Sequence, residues 1–152
     1  MNSKLADTNQ KLKSFFENNF NETTFFDEES FIVSKGSTQV LVKAENITED
    51  HIVIDIISHV VKGANVDDNL KNFLLRANSE LKFGAFGLLF DDTITFQHSI
   101  LANEFSEIDL KSSINAVASV SDYYDDIIVK KSGGKRALED LNDEANWKWL
   151  KR

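Results

Sequence analysis

The sequence predicts an α+β domain with an antiparallel five-stranded sheet and the element order α-β-β-β-α-β-β-α. Three observations lead to this prediction: apolar residues recur at helical spacing in three segments, they alternate with polar residues in others, and most connections are short. Short connections favour antiparallel neighbours, because a parallel pair of strands needs a long crossover. A chain of 152 residues can bury a substantial core, and one domain is expected.

Three segments are predicted to be helices. The first is amphipathic, with Ser3 as a candidate N-cap. The second begins at Asp67 or Asp68, either of which can cap it, and runs to about Glu80. The third is long, carries acidic residues in its first turn, and ends at the Ser-Gly-Gly sequence of residues 132–134.

Three strands are predicted between the first two helices, and they form an antiparallel meander. They begin at Phe31, at Thr38 and at His51, and the last runs to Val61 with apolar residues at alternate positions. The preceding segment, residues 21–30, is polar and acidic apart from two phenylalanines, and we expect a connection there.

A hairpin is predicted from two apolar runs that flank the acidic pair Asp91-Asp92. A two-residue turn would pair Phe90 with Thr93, whereas a three-residue loop would pair Phe90 with Ile94. We favour the longer loop because burial normally selects the register that gathers the apolar side chains on one face. That face would carry Phe86, Leu88, Phe90, Ile94, Phe96 and Ile100.

The opposite face of the hairpin is a candidate contact surface. Phe83, Ala85, Gly87 and Leu89 would lie beside Thr93, Thr95, Gln97 and Ser99 there. Two small residues between two large ones would make a shallow groove. Exposed apolar patches most often mark protein interfaces. We therefore favour packing of a tail or a second subunit over contact with a ligand.

The organisation predicted for the chain is a single domain over residues 1–131 and a C-terminal tail, helical in part or flexible, over residues 132–152. Trp147, Trp149 and Leu150 of the tail are candidate protein-binding residues. Two interpretations stay open for them: the tail folds back over its own subunit, or it binds a partner.

The charge distribution argues against nucleic acid as a partner. The formal charge is −8, and residues 130–152 hold seven basic and four acidic residues, so the first 129 hold ten basic and twenty-one acidic. An acidic body repels phosphate and anionic membrane surfaces. The beginning of the sequence has no signal-peptide pattern, and no run of apolar residues is long enough to insert into a membrane. A cytoplasmic protein is expected.

The residue types that carry enzyme chemistry are scarce. There is no cysteine, so a disulfide or a thiolate metal site is excluded. The three histidines, His51, His59 and His98, are scattered, and no nucleophile, zinc or calcium motif occurs. Acidic pairs such as Asp125-Asp126 are expected to be solvated rather than to hold a metal. We expect no catalytic residue, no metal, no cofactor and no enzyme activity.

Several short motifs of the second half carry a family resemblance. They are Leu75-x-x-Asn78, Phe83-Gly84-Ala85-Phe86, the turn with Asp91, Ile100-Leu101-x-x-Glu104 and Asp122-Tyr123-Tyr124-Asp125. The stretch from Leu75 to Ile127 resembles the YbjN-like family, which is similar in fold to the class I chaperones of type III secretion systems, and the cyanobacterial members look closest. Thr93 stands where relatives often have glycine, and the Trp147-x-Trp149 tail is not part of the pattern.

The resemblance implies a non-enzymatic α+β domain, commonly a homodimer, that holds an extended segment of a client protein. Such a protein would act as a molecular or assembly chaperone, and the acidic body would favour a basic client. A client can add a strand to an exposed sheet edge through main-chain hydrogen bonds, with apolar pockets taking its alternate side chains. The alternative is a regulatory or scaffold subunit that docks into a larger complex through its C-terminal tail.

Overall fold

Three helices and a single antiparallel sheet make up the computed structural model, which describes residues 3–21, 23–27, 29–103 and 105–137. The helices are α1 (Ser3–Asn19), α2 (Asp68–Glu80) and α3 (Glu107–Ser132). The strands are β1 (Thr23–Asp27), β2 (Ser30–Lys35), β3 (Thr38–Asn46), β4 (Ile52–Lys62), β5 (Ala85–Leu88), β6 (Ile94–Leu101) and β7 (Lys135–Arg136).

The sheet has the order β1-β2-β3-β4-β6-β5, and β7 pairs with β4. Every neighbouring pair in this order is antiparallel. Strand β4 lies at the centre, where Val61 pairs with Ile94 on one side and with Arg136 on the other. The fold class predicted from the sequence is confirmed.

The sheet has seven described strands rather than the predicted five. The first additional strand, β1, lies in the acidic segment that we expected to be a connection, where Thr24 pairs with Ile32 of β2. Hydrogen bonds to a neighbouring strand stabilise it, and its own sequence pattern does not reveal them. The second, β7, has two residues and lies within the segment 132–152, which the sequence assigned to a tail. Two residues are too few to show an alternating pattern.

One face of the sheet packs against the helices. Phe16 of α1 stacks on Phe31 of β2 with ring centroids 4.8 Å apart. Phe86 of β5 makes edge contacts with Phe96 of β6 and with Tyr124 of α3, each at 5.1 Å. Register and strand alternation place Phe31, Phe86 and Phe96 on the same face of the sheet. Helices α1 and α3 therefore cover one face, and the hydrophobic core lies between them and the sheet.

The helix boundaries follow the signals in the sequence. Asp67, one of the two predicted caps, accepts a hydrogen bond from the Leu70 amide at 2.9 Å and starts α2. Ser106 accepts a hydrogen bond from the Asp109 amide at the start of α3. Gly133 follows the last residue of α3 with a φ of 72°, a conformation that glycine adopts without strain.

The hairpin of β5 and β6 pairs Leu88 with Ile94. The register that we favoured from the sequence, with Phe90 opposite Ile94, is therefore wrong by two residues. A shift of two preserves the alternation of side chains, so the two predicted faces are retained. Phe90 leaves the sheet and is fully exposed, instead of joining the buried face.

The conformation of the connecting loop explains this register. The Leu89 amide donates to the Thr93 carbonyl, and the Asp92 amide donates to the Leu89 carbonyl, both at 3.0 Å. Asp92 has a φ of 63°, which aspartate tolerates better than most residues. The loop thus spans five residues, 89–93, and it holds Phe90 at its tip.

Candidate functional site

The sheet face that points away from the helices, here called the open face, is the candidate functional site. Cross-strand pairing arranges its side chains in rows across the central strands. The rows are Leu41-Ile57-Gln97-Ala85, Lys43-Asp55-Ser99 and His59-Thr95-Gly87. Each row combines side chains from the meander with side chains from the hairpin. The surface therefore depends on pairing between distant parts of the chain.

A concavity of about 480 Å³, here called the groove, lies on the open face. Its volume is in the range of known small-ligand pockets. The groove is lined by Leu41, Lys43, Glu45, Asp55, Ile57, His59, Lys62, Leu89, Phe90, Asp91, Thr95 and Gln97. Its floor is apolar, and charged side chains lie at both ends.

The hairpin loop forms one wall of the groove. Leu89 and Phe90 supply its apolar surface, and the Asp91 carboxylate accepts a hydrogen bond from the Thr93 amide at 3.0 Å. Two hydrogen bonds lower the pKa of Asp91, first the one from the Thr93 side chain and then the one from the Thr93 amide. The loop thus presents an apolar edge to the groove while its own backbone is held in place.

His59 is a neutral histidine in the groove at neutral pH. Its side chain is buried, and burial, followed by the nearby positive charge of Lys62, lowers its pKa to about 4. The Asp91 carboxylate acts in the opposite direction. A neutral imidazole adds a weakly polar surface to the groove without adding charge.

Two carboxyl groups mark the other end of the groove. A side-chain hydrogen bond with Asp55 raises the pKa of Glu45, and burial and the charge of Asp55 add to this effect. The Ser99 hydroxyl also donates to Asp55. Adjacent carboxyl groups that repel each other favour the approach of a cation. This end of the groove is therefore suited to a Lys or Arg side chain of a bound molecule.

A hydroxyl group in the groove has an unmet hydrogen-bonding capacity. Thr95 is 1% exposed, and its Oγ1 atom has no hydrogen-bond partner among the described residues. A Cβ atom on the adjacent Gly87 would lie 2.9 Å from this oxygen. Glycine at position 87 therefore leaves the space beside Thr95 free. Because this oxygen is itself buried, the Thr95 hydroxyl lies beneath the surface of the groove.

Three of the four candidate residues from the hairpin lie as predicted. Ala85 and Gly87 belong to the rows of the open face, and Leu89 lines the groove. Phe83 does not join them. Its ring lies 6.0 Å from the ring of His98, which alternates with Gln97 and so faces the helices.

The backbone at Gly84 explains the position of Phe83. Gly84 has a φ of 108°, which interrupts strand alternation, and a Cβ atom there would lie 2.6 Å from the Gln97 carbonyl oxygen. The tail residues Trp147, Trp149 and Leu150 lie outside the described residues.

The sequence interpretation missed the part of the groove that the meander supplies. Leu41 and Ile57 form the apolar floor, and His59 lies beside them. Their alternation with the buried residues of β3 and β4 was visible in the sequence. However, alternation shows only which residues share a face of a strand. The pairing of β4 with β6 was needed to place them beside Thr95.

The outer edge of β5 is closed by a side chain of α2. The Phe86 amide donates to Asn78 Oδ1 at 2.7 Å, and Asn78 Nδ2 donates to the Phe86 carbonyl at 3.3 Å. Asn78 therefore occupies the backbone groups that a client strand would need at this edge. Strand addition, which the sequence hypothesis allowed, is blocked at this position of β5.

A second apolar surface lies between α2 and β5, here called the α2–β5 surface. It is a concavity of about 150 Å³ lined by Val66, Lys71, Leu74, Leu75, Asn78, Phe86, Gly87 and Leu88. Leu75 and Leu88 are 69% and 45% exposed. Exposed leucines beside a concavity are typical of a protein–protein contact.

The acidic residues near the end of α3 have structural partners. The Ser37 hydroxyl donates to Asp125 at 2.7 Å, and Arg136 forms an ion pair with Asp126. Burial raises the pKa of Asp125, whereas hydrogen bonds from Ser37 lower the pKa of Asp122. These contacts join the β2–β3 turn and β7 to α3. Within the described ranges, no three His, Cys, Asp or Glu residues cluster in a way that could hold a metal ion.

Comparisons with known proteins identify the class of this domain. Its fold is similar to that of the crystal structure of the ExsC–ExsE complex, with a TM-score of 0.62 and 12% sequence identity. The similarity covers 82% of this chain and 95% of that chain. A search of curated proteins finds no match. The two chains therefore share a fold.

The family model described as "T3SS (YopN, CesT) and YbjN peptide-binding chaperone 1" matches residues 8–140. The chain belongs to this family of peptide-binding chaperones, and the resemblance inferred from the sequence is confirmed. None of the helices in the described part of the chain has the length and apolar character needed to cross a bilayer.

Proposed function

We propose that the protein is a non-enzymatic chaperone that holds an extended segment of a client protein in the groove of the open face. The observation that carries this proposal is the apolar floor of Leu41 and Ile57, with the carboxyl groups of Glu45 and Asp55 at one end of the groove. An extended peptide presents alternate side chains to such a floor. Membership of the peptide-binding family supports the same function.

The chemistry of the groove indicates which client segments it favours. Apolar side chains fit over Leu41, Ile57 and Leu89, and a Lys or Arg side chain fits beside Glu45 and Asp55. The overall charge of −8 attracts basic segments and increases their association rate at low ionic strength. A basic and apolar client segment, held in the cytoplasm without chemical change, is the expected ligand class.

The proposal is tested with peptides selected from a random library on the immobilised full chain. Introducing a charge into the apolar wall with Leu89→Asp is expected to weaken binding of a selected peptide about 30-fold, because desolvating a buried carboxylate costs on the order of 2 kcal/mol at a central contact. Fluorescence anisotropy of the labelled peptide measures the affinity.

The matched control is Ile108→Asp, which places the same charge on an exposed apolar residue at the start of α3, outside the groove. Affinity of this variant is expected to equal that of the wild type. Selected peptides that bind both variants equally well would contradict the placement of the client in the groove. Failure to select any peptide would contradict the chaperone function itself.

We further propose that the protein is a homodimer that associates through the α2–β5 surface. Leu75 and Leu88 are exposed there, and Asn78 prevents an edge-to-edge extension of the sheet at Phe86. A second copy that covers the two leucines would bury apolar area without a continuous sheet across the interface. The surface lies beside the groove and does not include its floor, so both can be occupied at once.

Leu75→Asp is expected to raise the dissociation constant of the dimer about 30-fold, because the carboxylate is desolvated at a central contact. Light scattering coupled to size-exclusion chromatography over a concentration series measures this constant. Ile47→Asp, at a similarly exposed apolar position in the β3–β4 connection, is the control and should leave the dimer intact. A wild-type chain that stays monomeric over the series would contradict the dimer.

The alternative function is a regulatory or scaffold subunit that docks into a larger complex through the segment that follows β7. Arg136 of β7 forms an ion pair with Asp126 of α3, so the segment leaves the domain from a fixed point. In that case, alanine at Trp147 and Trp149 would abolish association with one stable complex. Peptide binding in the groove would be unaffected.

A further inference from the structure

Phe90 is a fully exposed aromatic side chain at the tip of the hairpin loop. It lines the groove together with its neighbour Leu89, whereas other residues line the α2–β5 concavity. Removing a phenylalanine ring from water is favourable, and aromatic side chains are enriched at the centres of protein interfaces. The ring of Phe90 is therefore available for contact with a molecule that lies in the groove.

The hairpin loop holds the backbone at Phe90 in place. The Leu89 amide donates to the Thr93 carbonyl, and the Asp92 amide donates to the Leu89 carbonyl, both at 3.0 Å. The Asp91 carboxylate accepts a hydrogen bond from the Thr93 amide, also at 3.0 Å. A loop that is ordered before binding loses little conformational entropy when a ligand arrives. Contacts made by the exposed ring therefore contribute to affinity without a large ordering cost.

The charges at this end of the groove compensate one another. Hydrogen bonds from Thr93 are the main cause of the lowered pKa of Asp91, and the positive charge of Lys62 acts in the same direction. His59 is neutral at neutral pH. Among the described residues that line this end, one cation thus balances one anion. The end of the groove beside Phe90 therefore favours an apolar side chain over a charged one.

The opposite end of the groove is acidic. Glu45 and Asp55 line it, and Lys43 is the cation among the described residues there. The strand register pairs Lys43 with Asp55, and Asp55 with Ser99. Two carboxylates beside one ammonium group leave a net negative charge, which attracts a cation from a bound molecule. The groove therefore has one acidic end and one apolar end.

The strand register also sets the distance between the two ends. Ser99 pairs with Asp55, and Thr93, six positions earlier in the chain, is hydrogen-bonded to Leu89 of the loop. Six residues of extended chain span about 20 Å, and side chains six positions apart point to the same side of a strand. An extended peptide that lies along the groove can therefore place one side chain at each end.

We propose that Phe90 determines which client segments the groove holds. It contacts a large apolar side chain of the client, best an aromatic one, while a Lys or Arg side chain six positions away in the client lies beside Glu45 and Asp55. Two aromatic rings interact by more than their buried area alone, which favours an aromatic partner for Phe90. This inference rests on the proposed function and adds to it a particular residue and a fixed spacing.

A series of synthetic peptides tests the spacing. An Arg residue and a Val two positions from it stay fixed, and a Phe is moved from four to eight positions away from the Arg, in both sequence directions. Affinity for the full chain, measured by fluorescence anisotropy, is expected to be highest at a spacing of six. It should be about 10-fold lower at five and seven, because these spacings place Arg and Phe on opposite sides of the extended peptide. Equal affinities throughout the series, or a maximum at another spacing, would overturn the proposal.

A double-mutant cycle tests the role of Phe90. Phe90→Ala is expected to weaken binding of the best peptide about 10-fold, but to have little effect once the Phe of the peptide is replaced by Ala. Tyr123→Ala is the matched control, since it removes an exposed aromatic ring of α3 outside the groove and should leave affinity unchanged. Urea denaturation of each variant confirms that it is folded. Independent effects of the two replacements would overturn the contact between the two rings.

The same variants separate this inference from the proposed function. A peptide that loses affinity for Leu89→Asp but binds Phe90→Ala as it binds the wild type would overturn the role of Phe90, while the chaperone function stands. A dimer that dissociates in Phe90→Ala, with unchanged peptide affinity, would assign the ring to contact between two copies and would also overturn the proposal. A chain that binds no peptide of the series and none from the random library would overturn both this inference and the chaperone function.

Discussion

Replacing Phe96 with alanine is expected to lower the free energy of unfolding by about 3–5 kcal/mol, the usual cost of removing a buried aromatic side chain. Phe96 is fully buried, and its ring meets Phe86 at 5.1 Å. Phe86 in turn contacts Tyr124 of α3, so Phe96 supports the contact between the hairpin and the long helix. Chemical denaturation with urea measures the change.

Phe90→Ala is the matched control, since it removes the same side chain from a fully exposed position of the same hairpin. Its expected effect is within about 0.5 kcal/mol, as for most surface substitutions. The pair also tests the hairpin register. A large loss from Phe90→Ala would mean that Phe90 lies on the buried face, as the register favoured from the sequence required.

The stability of the domain is expected to fall as the pH is lowered from about 6.5 to about 4, in part because of His59. Its pKa in the folded protein is lowered to about 4, first by burial and then by Lys62, whereas an unfolded histidine titrates near 6.5. Between these values the unfolded chain binds a proton that the folded chain does not. Protonation therefore favours unfolding, by on the order of 3 kcal/mol across the window.

The measurement is the free energy of unfolding of the wild type and of His59→Gln at several pH values. The variant lacks the titrating group, so the part of the acid loss due to His59 should disappear from its profile. Gln97→Ala, an exposed change in the same groove, should keep the wild-type profile. Identical pH profiles for the wild type and His59→Gln would contradict the neutral, buried histidine.

The sequence predicted the fold class, the three helices and the two faces of the hairpin, because these depend on local periodicity and capping. The Asp67 cap and the Gly133 stop are examples in which one residue satisfies the backbone at a helix end. By contrast, β1 and β7 are defined by their partners in the sheet. Their own residues carry no comparable signal.

Local periodicity also predicted part of the candidate site. Alternation correctly placed Ala85, Gly87 and Leu89 on the open side of the hairpin. It failed for Phe83, because the positive φ of Gly84 turns the chain just before β5. The floor from Leu41 and Ile57 depends on pairing with strands far away in the sequence, and periodicity holds no information on such pairing.

The central claim is that an extended peptide binds across the open face of the sheet. Titration of the isotope-labelled full chain with a selected peptide, followed by nuclear magnetic resonance of the backbone amides, tests it most directly. The account predicts that the largest shifts occur at Leu41, Ile57, Leu89 and Thr95. Shifts confined instead to the concavity between α1 and residues 102–107, or to the α2–β5 surface, would contradict it.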